Sequence, residues 1–309
     1  MDKQEKNPLL VILGPTATGK TKLAVQIANE YNGEIISADS RQIYKGMDIG
    51  TGKDLDEYFV NDTQIQYHLI DILNPEKDYS VFRFQQDFYK VYNEIIKRTL
   101  FTILCGGTGL YIESILLNYK MNKANPDYKL REELEKEDHK KLIKMLKDLN
   151  SKLHNTSDLS SKKRTIRAIE IGLNIQKNGE RKLTKSKKFN YCVIGISPDI
   201  EIVRSRITNR LKFRLKNGMI DEVESLLKNG MNPERLNYFG LEYKFIGQFL
   251  SGKLNYNDMF QKLNTAIHQF SKRQMTFFRR MEKRGIKINW VQNAEISSAK
   301  NILVKYFQE

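Results

Sequence analysis

The sequence predicts an α/β fold, a parallel sheet flanked by helices and interrupted by an inserted helical domain. Three observations predict it. Short apolar runs alternate with helical patterns up to about residue 118, the signature of βαβ units. The apolar run Leu9–Leu13 feeds directly into Gly14-Pro15-Thr16-Ala17-Thr18-Gly19-Lys20-Thr21, which matches G-x-x-x-x-G-K-[ST] at every fixed position. A further apolar run at 191–196 arrives only after a long stretch of different composition. The expected division is residues 1–119 with 189–309 as a P-loop core carrying C-terminal helices, and residues 120–188 as the insertion.

The run 9–13 reads as the first strand, and Leu23, Ala24, Ile27 and Ala28 give the helix that starts near Lys20. Runs 34–37, 68–72 and 101–105 read as further strands, with helices starting near Phe82 and Leu110. In the insertion, Leu130, Leu134, Leu142, Ile143, Leu146 and Leu149 recur at near-helical spacing among Lys and Glu, so amphipathic helices should close on a small core. Two basic stretches follow, Ser161-Lys162-Lys163-Arg164-Thr165-Ile166-Arg167 and Arg181-Lys182 to Lys187-Lys188. Each reads equally as a solvated helix face or as an RNA contact. After the strand 191–196, Ser197-Pro198-Asp199 starts a helix that runs to about Lys216. Helical patterning continues to Arg284 through the basic, aromatic stretch 272–280, whose aromatics read as core, and 286–291 reads as a last strand before a short helix.

With 52 Lys+Arg against 37 Asp+Glu, a surplus of +15, the chain attracts polyanions, and a nucleic acid is the natural partner. Cys105 and Cys192 each lie in an apolar run, so no disulfide framework is implied and a reducing compartment fits. No run approaches the ~18 apolar residues of a membrane span. A soluble, cytoplasmic protein is expected. His68, His139, His154 and His268 share no ligand spacing with one another or with the cysteines, which argues against a structural zinc.

In the P-loop, successive backbone N–H groups turn inward, Lys20 adds a point charge and the Thr21 hydroxyl can hold Mg²⁺, so the ligand should carry a diphosphate or triphosphate. In a parallel sheet, ligands gather at the carboxyl ends of strands, and Asp39 follows the second strand on the same rim. It can hold Mg²⁺, act as a general base, or cap the turn that follows it. Gly106-Gly107-Thr108-Gly109 follows the strand that ends at Cys105. Its glycines permit close backbone approach, and the Thr108 hydroxyl both donates and accepts. His68-Leu69-Ile70-Asp71 has the look of a Walker B strand but no second acid, which argues against an ATPase. Asp71 reads as a strand-end residue able to assist Mg²⁺. A nucleotide kinase would share the loop but would be expected to carry a lid with paired arginines, and a non-catalytic RNA binder would leave Asp39 and the loop without purpose.

The set G-P-T-A-T-G-K-T, S-A-D-S-R-Q-I-Y-K-G-M-D-I-G-T (37–51), H-L-I-D-I-L (68–73), G-G-T-G-L-Y (106–111) and K-R-Q-M-T-F-F-R (272–279) resembles the bacterial tRNA dimethylallyltransferases, in the right order over nearly the whole chain. The resemblance implies transfer of the dimethylallyl group of dimethylallyl diphosphate to N6 of the adenine just 3′ of the anticodon, in tRNAs reading codons that begin with U. It implies that Gly14, Pro15, Thr16, Ala17, Thr18, Gly19, Lys20 and Thr21 grip the donor's diphosphate, with Mg²⁺ on Thr21 and no ATP in the chemistry. Asp39 is then the base on N6, Thr108 its companion, and Arg210 a third element stabilising the diphosphate. The tRNA anticodon stem-loop would meet Asp39, Ser40, Arg41, Gln42 and Thr108, then Lys163, Arg164, Thr165, Ile166 and Arg167, then Lys272, Arg273, Gln274, Met275, Thr276, Phe277, Phe278 and Arg279. A monomer is expected, without a membrane. Two departures stand out: Phe239-Gly240-Leu241-Glu242 replaces a usual basic V-G-Y-R, and Gly52 stands where G-T-A-K is usual.

Overall fold

The computed structural model describes residues 8–98, 101–121, 126–149, 159–179 and 190–308. The chain divides into two compact units, Met1–Leu117 with Lys188–Glu309, and Asn118–Lys187. In chain order the first unit opens with β1 (Leu9–Leu13), α1 (Lys20–Glu30), β2 (Gly33–Ser37), the short pair β3 (Phe59–Val60) and β4 (Thr63–Gln64), β5 (Tyr67–His68), α2 (Val81–Arg98), β6 (Phe101–Gly106) and α3 (Gly109–Leu116). The second unit supplies α4 (Tyr128–Glu135), α5 (His139–Leu149) and α6 (Lys162–Asn178). The first unit resumes with β7 (Tyr191–Ser197), α7 (Ile200–Lys216), α8 (Met219–Lys228), α9 (Leu236–Phe239), α10 (Leu241–Leu250), α11 (Tyr256–Lys283), β8 (Asn289–Gln292) and α12 (Ile296–Gln308).

Six strands form one parallel sheet in the order β5-β2-β6-β1-β7-β8. β1 at its centre is apolar along its whole length, and β6 and β7 on either side nearly so, because both faces are covered. Alternation along β1 divides the core: Leu9, Val11 and Leu13 face a cluster with Phe84, Ile112, Ile207 and Phe278, while Leu10 and Ile12 face one with Leu23, Ile27 and Leu303. Register decides where the loops leave the sheet. Leu13 lies opposite Gly106, and Ser37 opposite Cys105, so the chain after β1, β2 and β6 emerges level on one rim.

The run 68–72 departs from its expected strand. Pairing stops at His68, because Leu69 (φ 62°) and Asp71 (φ 55°) take left-handed conformations that end an extended ladder. Asp71 instead pairs with the ammonium of Lys53, a side chain 1% exposed that also donates to Tyr44 O at 2.7 Å and Asp48 Oδ1 at 2.6 Å. Three oxygens around one buried ammonium are what make its burial tolerable. The last strand begins later than expected, at Asn289, with Ile286 and Ile288 buried ahead of it.

In the second unit, Leu134, Leu142, Leu146, Ile166 and Ile169 close a small core, with Leu130 and Leu149 packed against it. Glu170, buried there, is held by Arg131 (2.8 Å) and Arg167. Within the first basic stretch, Thr165 is fully buried, donating to Ser161 O at 3.1 Å, and Ile166 lies in the core. These two side chains therefore cannot be the RNA contacts that the resemblance implies, while Lys163 and Arg164 are exposed. The stretch 181–188 and His154 lie outside the described residues. Among the described residues, no helix is long and apolar enough to cross a membrane, and no cluster of metal-ligating side chains forms.

Candidate active site

The level rim brings three loops around one cavity of about 640 Å³. The P-loop folds over the end of β1, with Ala17 (φ 62°) and Gly19 (φ 82°) turning it back on itself. Thr18 is buried and its Oγ1 donates to Pro15 O at 2.9 Å, which closes the loop from inside. Thr16, Ala17, Thr18, Gly19, Lys20 and Thr21 line the cavity. Gly14 is buried against Ile196 and Pro15 lies behind the lining, so both serve through the loop's shape. Lys20 Nζ donates to Pro15 O at 3.2 Å, and burial holds its pKa below the ordinary lysine range against the opposing pull of Cys105 and Asp39.

The second and third loops are stitched together. Ala38 N donates to Cys105 O at 2.7 Å, Thr108 N to Ala38 O at 3.1 Å, and Ser40 N to Thr108 Oγ1 at 3.0 Å. Gly106 is required here, since a Cβ would collide with the Ala38 carbonyl. Asp39 Oδ1 accepts from Arg41 N at 2.9 Å, so the residue does cap its turn. Its Oδ2 makes no hydrogen bond among the described residues, and Asp39 lines the cavity. One carboxylate thus fulfils the capping reading while keeping an oxygen for a ligand. Thr108 lines the cavity beside it, with its hydroxyl 3.4 Å from Ser40 Oγ, long enough for a closer acceptor to win the proton.

Helix α11 forms the wall opposite. Its buried stripe runs Met259, Leu263, Ile267, Ser271, Gln274, Phe278, Met281. Gln274 is committed at both ends, Oε1 accepting from Thr16 N at 2.9 Å and Nε2 donating to Gly107 O at 3.0 Å. It braces the P-loop against the third loop and itself lines the cavity. Phe278, expected among the tRNA contacts, is fully buried in the core. Phe277, one step round the helix, packs over Gly109, lines the cavity and lies 4.0 Å beneath the Arg280 guanidinium, which Glu113 holds at 2.9 Å. Arg273 lines the cavity near the Phe270 ring. Lys272, Thr276 and Arg279 are exposed, and Met275 is half-buried against the core.

The block 39–51 is shaped by residues distant from it in sequence. Gln42 accepts from Ser37 Oγ at 3.0 Å and donates to Gly52 O at 2.9 Å, so its amide is a brace where base reading was expected. Arg41 donates to Tyr238 O and stacks on that ring at 5.4 Å. Glu222 gathers the amides of Asp48 (2.8 Å), Ile49 (2.7 Å) and Gly50 (3.0 Å), and Tyr243 donates to it at 2.6 Å. From α7, Arg210 enters the cavity with Arg214 one turn later, both on Asp54. Gly52 permits this: its φ is 68°, and a Cβ would clash with Arg210 and lie 2.6 Å from an Arg214 nitrogen. Arg214 was findable, since positions four apart share a helix face. Asp54 was not, because its partners are distant in sequence. Glu242 also lines the cavity, its carboxyl pushed up by burial against the pull of Arg214 and Arg210. Asp71, tied to Lys53, is not among the residues that line the cavity.

The family described as IPP transferase matches residues 42–281, and that described as isopentenyl transferase matches residues 7–71. The chain is 47% identical over 302 residues to tRNA dimethylallyltransferase 1 of Azobacteroides pseudotrichonymphae, spanning 98% of each. The chain belongs to the tRNA dimethylallyltransferase family. Its identity to tRNA dimethylallyltransferase 2 of Bacteroides fragilis is 49% over 285 residues, 92% of each chain. Among solved structures, the tRNA isopentenylpyrophosphate transferase of Bacillus halodurans superposes with a TM-score of 0.68 at 30% identity, covering 98% of this chain and 95% of the other. A eukaryotic dimethylallyltransferase, at 23% identity and a TM-score of 0.73, shares the fold over 94% of this chain and 75% of its own.

Proposed function

We infer that this chain transfers the dimethylallyl group of dimethylallyl diphosphate to N6 of the adenine 3′-adjacent to the anticodon, in tRNAs that read codons beginning with U, and releases diphosphate. The observation that carries this reading is one cavity lined by Lys20, Thr21 and Arg210 together with Asp39 and Thr108. An exocyclic adenine amine is a weak nucleophile, because its lone pair is delocalised into the ring. The reaction therefore needs an acceptor for the amine proton and a sink for charge on the leaving group. Asp39 Oδ2 takes the proton as the N6–C1 bond forms, and Thr108 orients the amine. The C1–O bond breaks with its electron pair going to the diphosphate, where Lys20, Arg210 and the N-terminus of α1 meet the growing charge. The adenine must leave its stack to reach this depth.

The donor set also fits Mg²⁺. Thr21 lines the cavity, and among the described residues no three His, Cys, Asp or Glu side chains gather into a metal cage of their own. Mg²⁺ is commonly held by a few protein oxygens together with substrate phosphates. When bound, it would neutralise charge on the diphosphate. In this reading the chain acts on tRNA as a monomer in the cytoplasm. Supplying dimethylallyl diphosphate with a prenyl label and ATP with a phosphate label, each with bulk tRNA, tests the reading. The prenyl label is expected in RNA, without stoichiometric ADP. Phosphate label in RNA, or ADP formed in step with modification, would restore the kinase or ATPase reading.

In this reading residues 120–188 form a tRNA-binding insertion whose exposed Lys163 and Arg164 face the phosphate backbone, as do Lys272, Arg273 and Arg279. Each phosphate contact to a single strand or duplex contributes ~0.7–0.9 to the slope of log affinity on log salt. Lys163→Ala with Arg164→Ala is expected to make that slope shallower by about 1.5 for an anticodon stem-loop. Preference between matched and mismatched loops should stay as it was. An unchanged slope in a salt titration would make this stretch a solvated helix face.

A further inference from the structure

Arg210 is held in the cavity by less than it can bind. Its NH2 lies 3.1 Å from Asp54 Oδ2, while its Nε is buried with no hydrogen-bond partner among the described residues. Asp54 is shared unequally: both of its oxygens lie against Arg214 NH2, at 2.8 and 2.7 Å. Both guanidiniums sit on Gly52, where no Cβ intervenes. Asp54 itself is 41% exposed and takes φ 41°, at the head of the turn Leu55–Tyr58. Other carboxylates face the same space, namely Asp39, Glu57 and Glu242, yet none forms an ion pair with either arginine among the described residues.

We propose that Asp54 is an exchangeable counter-ion, which holds Arg210 while the donor site is empty and yields it to the diphosphate. The proposal rests on the reading of this cavity as a diphosphate site. Lys20, Arg210 and Arg214 are three like charges in one cavity, and burial together with Arg214 already disfavours the charge on Arg210. Asp54 offsets that cost. A diphosphate carries more charge and more acceptors than one carboxylate, and it offers a partner to the orphaned Nε. When it arrives, Arg210 can exchange one contact for several, while Asp54 keeps both contacts to Arg214. The same carboxylate, left beside the bound diphosphate, repels it and favours its departure. Asp54 thereby sets both how tightly diphosphate is held and how readily it leaves, and Arg214 is the anchor that keeps Asp54 from following Arg210.

The test is titration calorimetry of inorganic diphosphate with Mg²⁺ into the full chain, together with the KM for dimethylallyl diphosphate. Asp54→Asn keeps the shape and an acceptor for Arg214 but removes the competing charge. It is expected to bind diphosphate about tenfold tighter and to lower the donor KM in the same direction. Asp54→Ser, measured alongside, should move the same way. Arg214→Gln frees Asp54 to close on Arg210 and should weaken diphosphate, whereas a merely structural cluster would suffer alike from all three. Equal or weaker binding in both Asp54 variants overturns the proposal, since Asp54 would then only hold Arg210 in place. Absence of donor-competitive diphosphate binding in the unaltered chain would overturn the site reading itself, and this proposal with it.

Discussion

Replacing Asp39 with asparagine is expected to leave the fold and tRNA affinity intact and to lower the single-turnover rate by about 10²- to 10⁴-fold. Asparagine is isosteric, and its Oδ1 can still accept from Arg41 N, so the turn that Asp39 caps should survive. The stitching of the second loop to the third runs through Ala38, Ser40 and Thr108, and does not depend on the carboxylate. The loss is therefore confined to the oxygen that faces the cavity, where an amide cannot accept the N6 proton. Rapid-quench measurement with enzyme in excess separates this step from product release. A rate near that of the unaltered chain would remove Asp39 from the role of base and leave it a cap.

What could be read ahead of the structure was mostly local. The P-loop, the strands around it and the rim position of Asp39 and Thr108 follow from short continuous apolar runs alternating with 3.6-residue patterning, because both faces of the sheet are covered and the motif sits at a strand end. The run 68–72 was misread for the opposite reason. Its apolar residues look like a strand, but Asp71 is drawn to Lys53, a partner whose burial only the folded chain reveals. Gln42 and Gln274 show the same limit. A polar residue within a site motif looks available to a ligand, and only the fold shows that each amide spans two backbone segments. Phe278 was more legible. It stands four residues after Gln274 and three before Met281, on the buried stripe, while Phe277 falls off it. Thr165 and Ile166 could have been separated from Lys163 and Arg164 by their spacing to Ile169. Gly52, one of the two departures from the resemblance, is the opening through which Arg210 and Arg214 reach Asp54.

Lys20→Ala is expected to lower kcat/KM for dimethylallyl diphosphate by about 10²- to 10³-fold, as removal of a preorganised donor at a site of developing charge does. The ammonium is buried and, among the described residues, hydrogen-bonds Pro15 O. Burial disfavours its charge and holds its pKa below the ordinary lysine range. A bound diphosphate reverses that balance, so donor binding and protonation of Lys20 support one another. The sign follows: binding selects the charged form, which is complete below the pKa of the empty site and lost as pH rises through it. The KM for the donor should therefore climb at alkaline pH in the unaltered chain, beginning below the range where an ordinary lysine titrates. Lys20→Ala should lack that limb, while Lys20→Arg, which stays charged, should lose it and retain more activity. Donor KM against pH at saturating tRNA, for all three proteins, measures this. The same alkaline limb in Lys20→Ala would assign the titration to another group, and a kcat/KM within tenfold of the unaltered value would mean that the loop amides and Arg210 carry the diphosphate without the lysine.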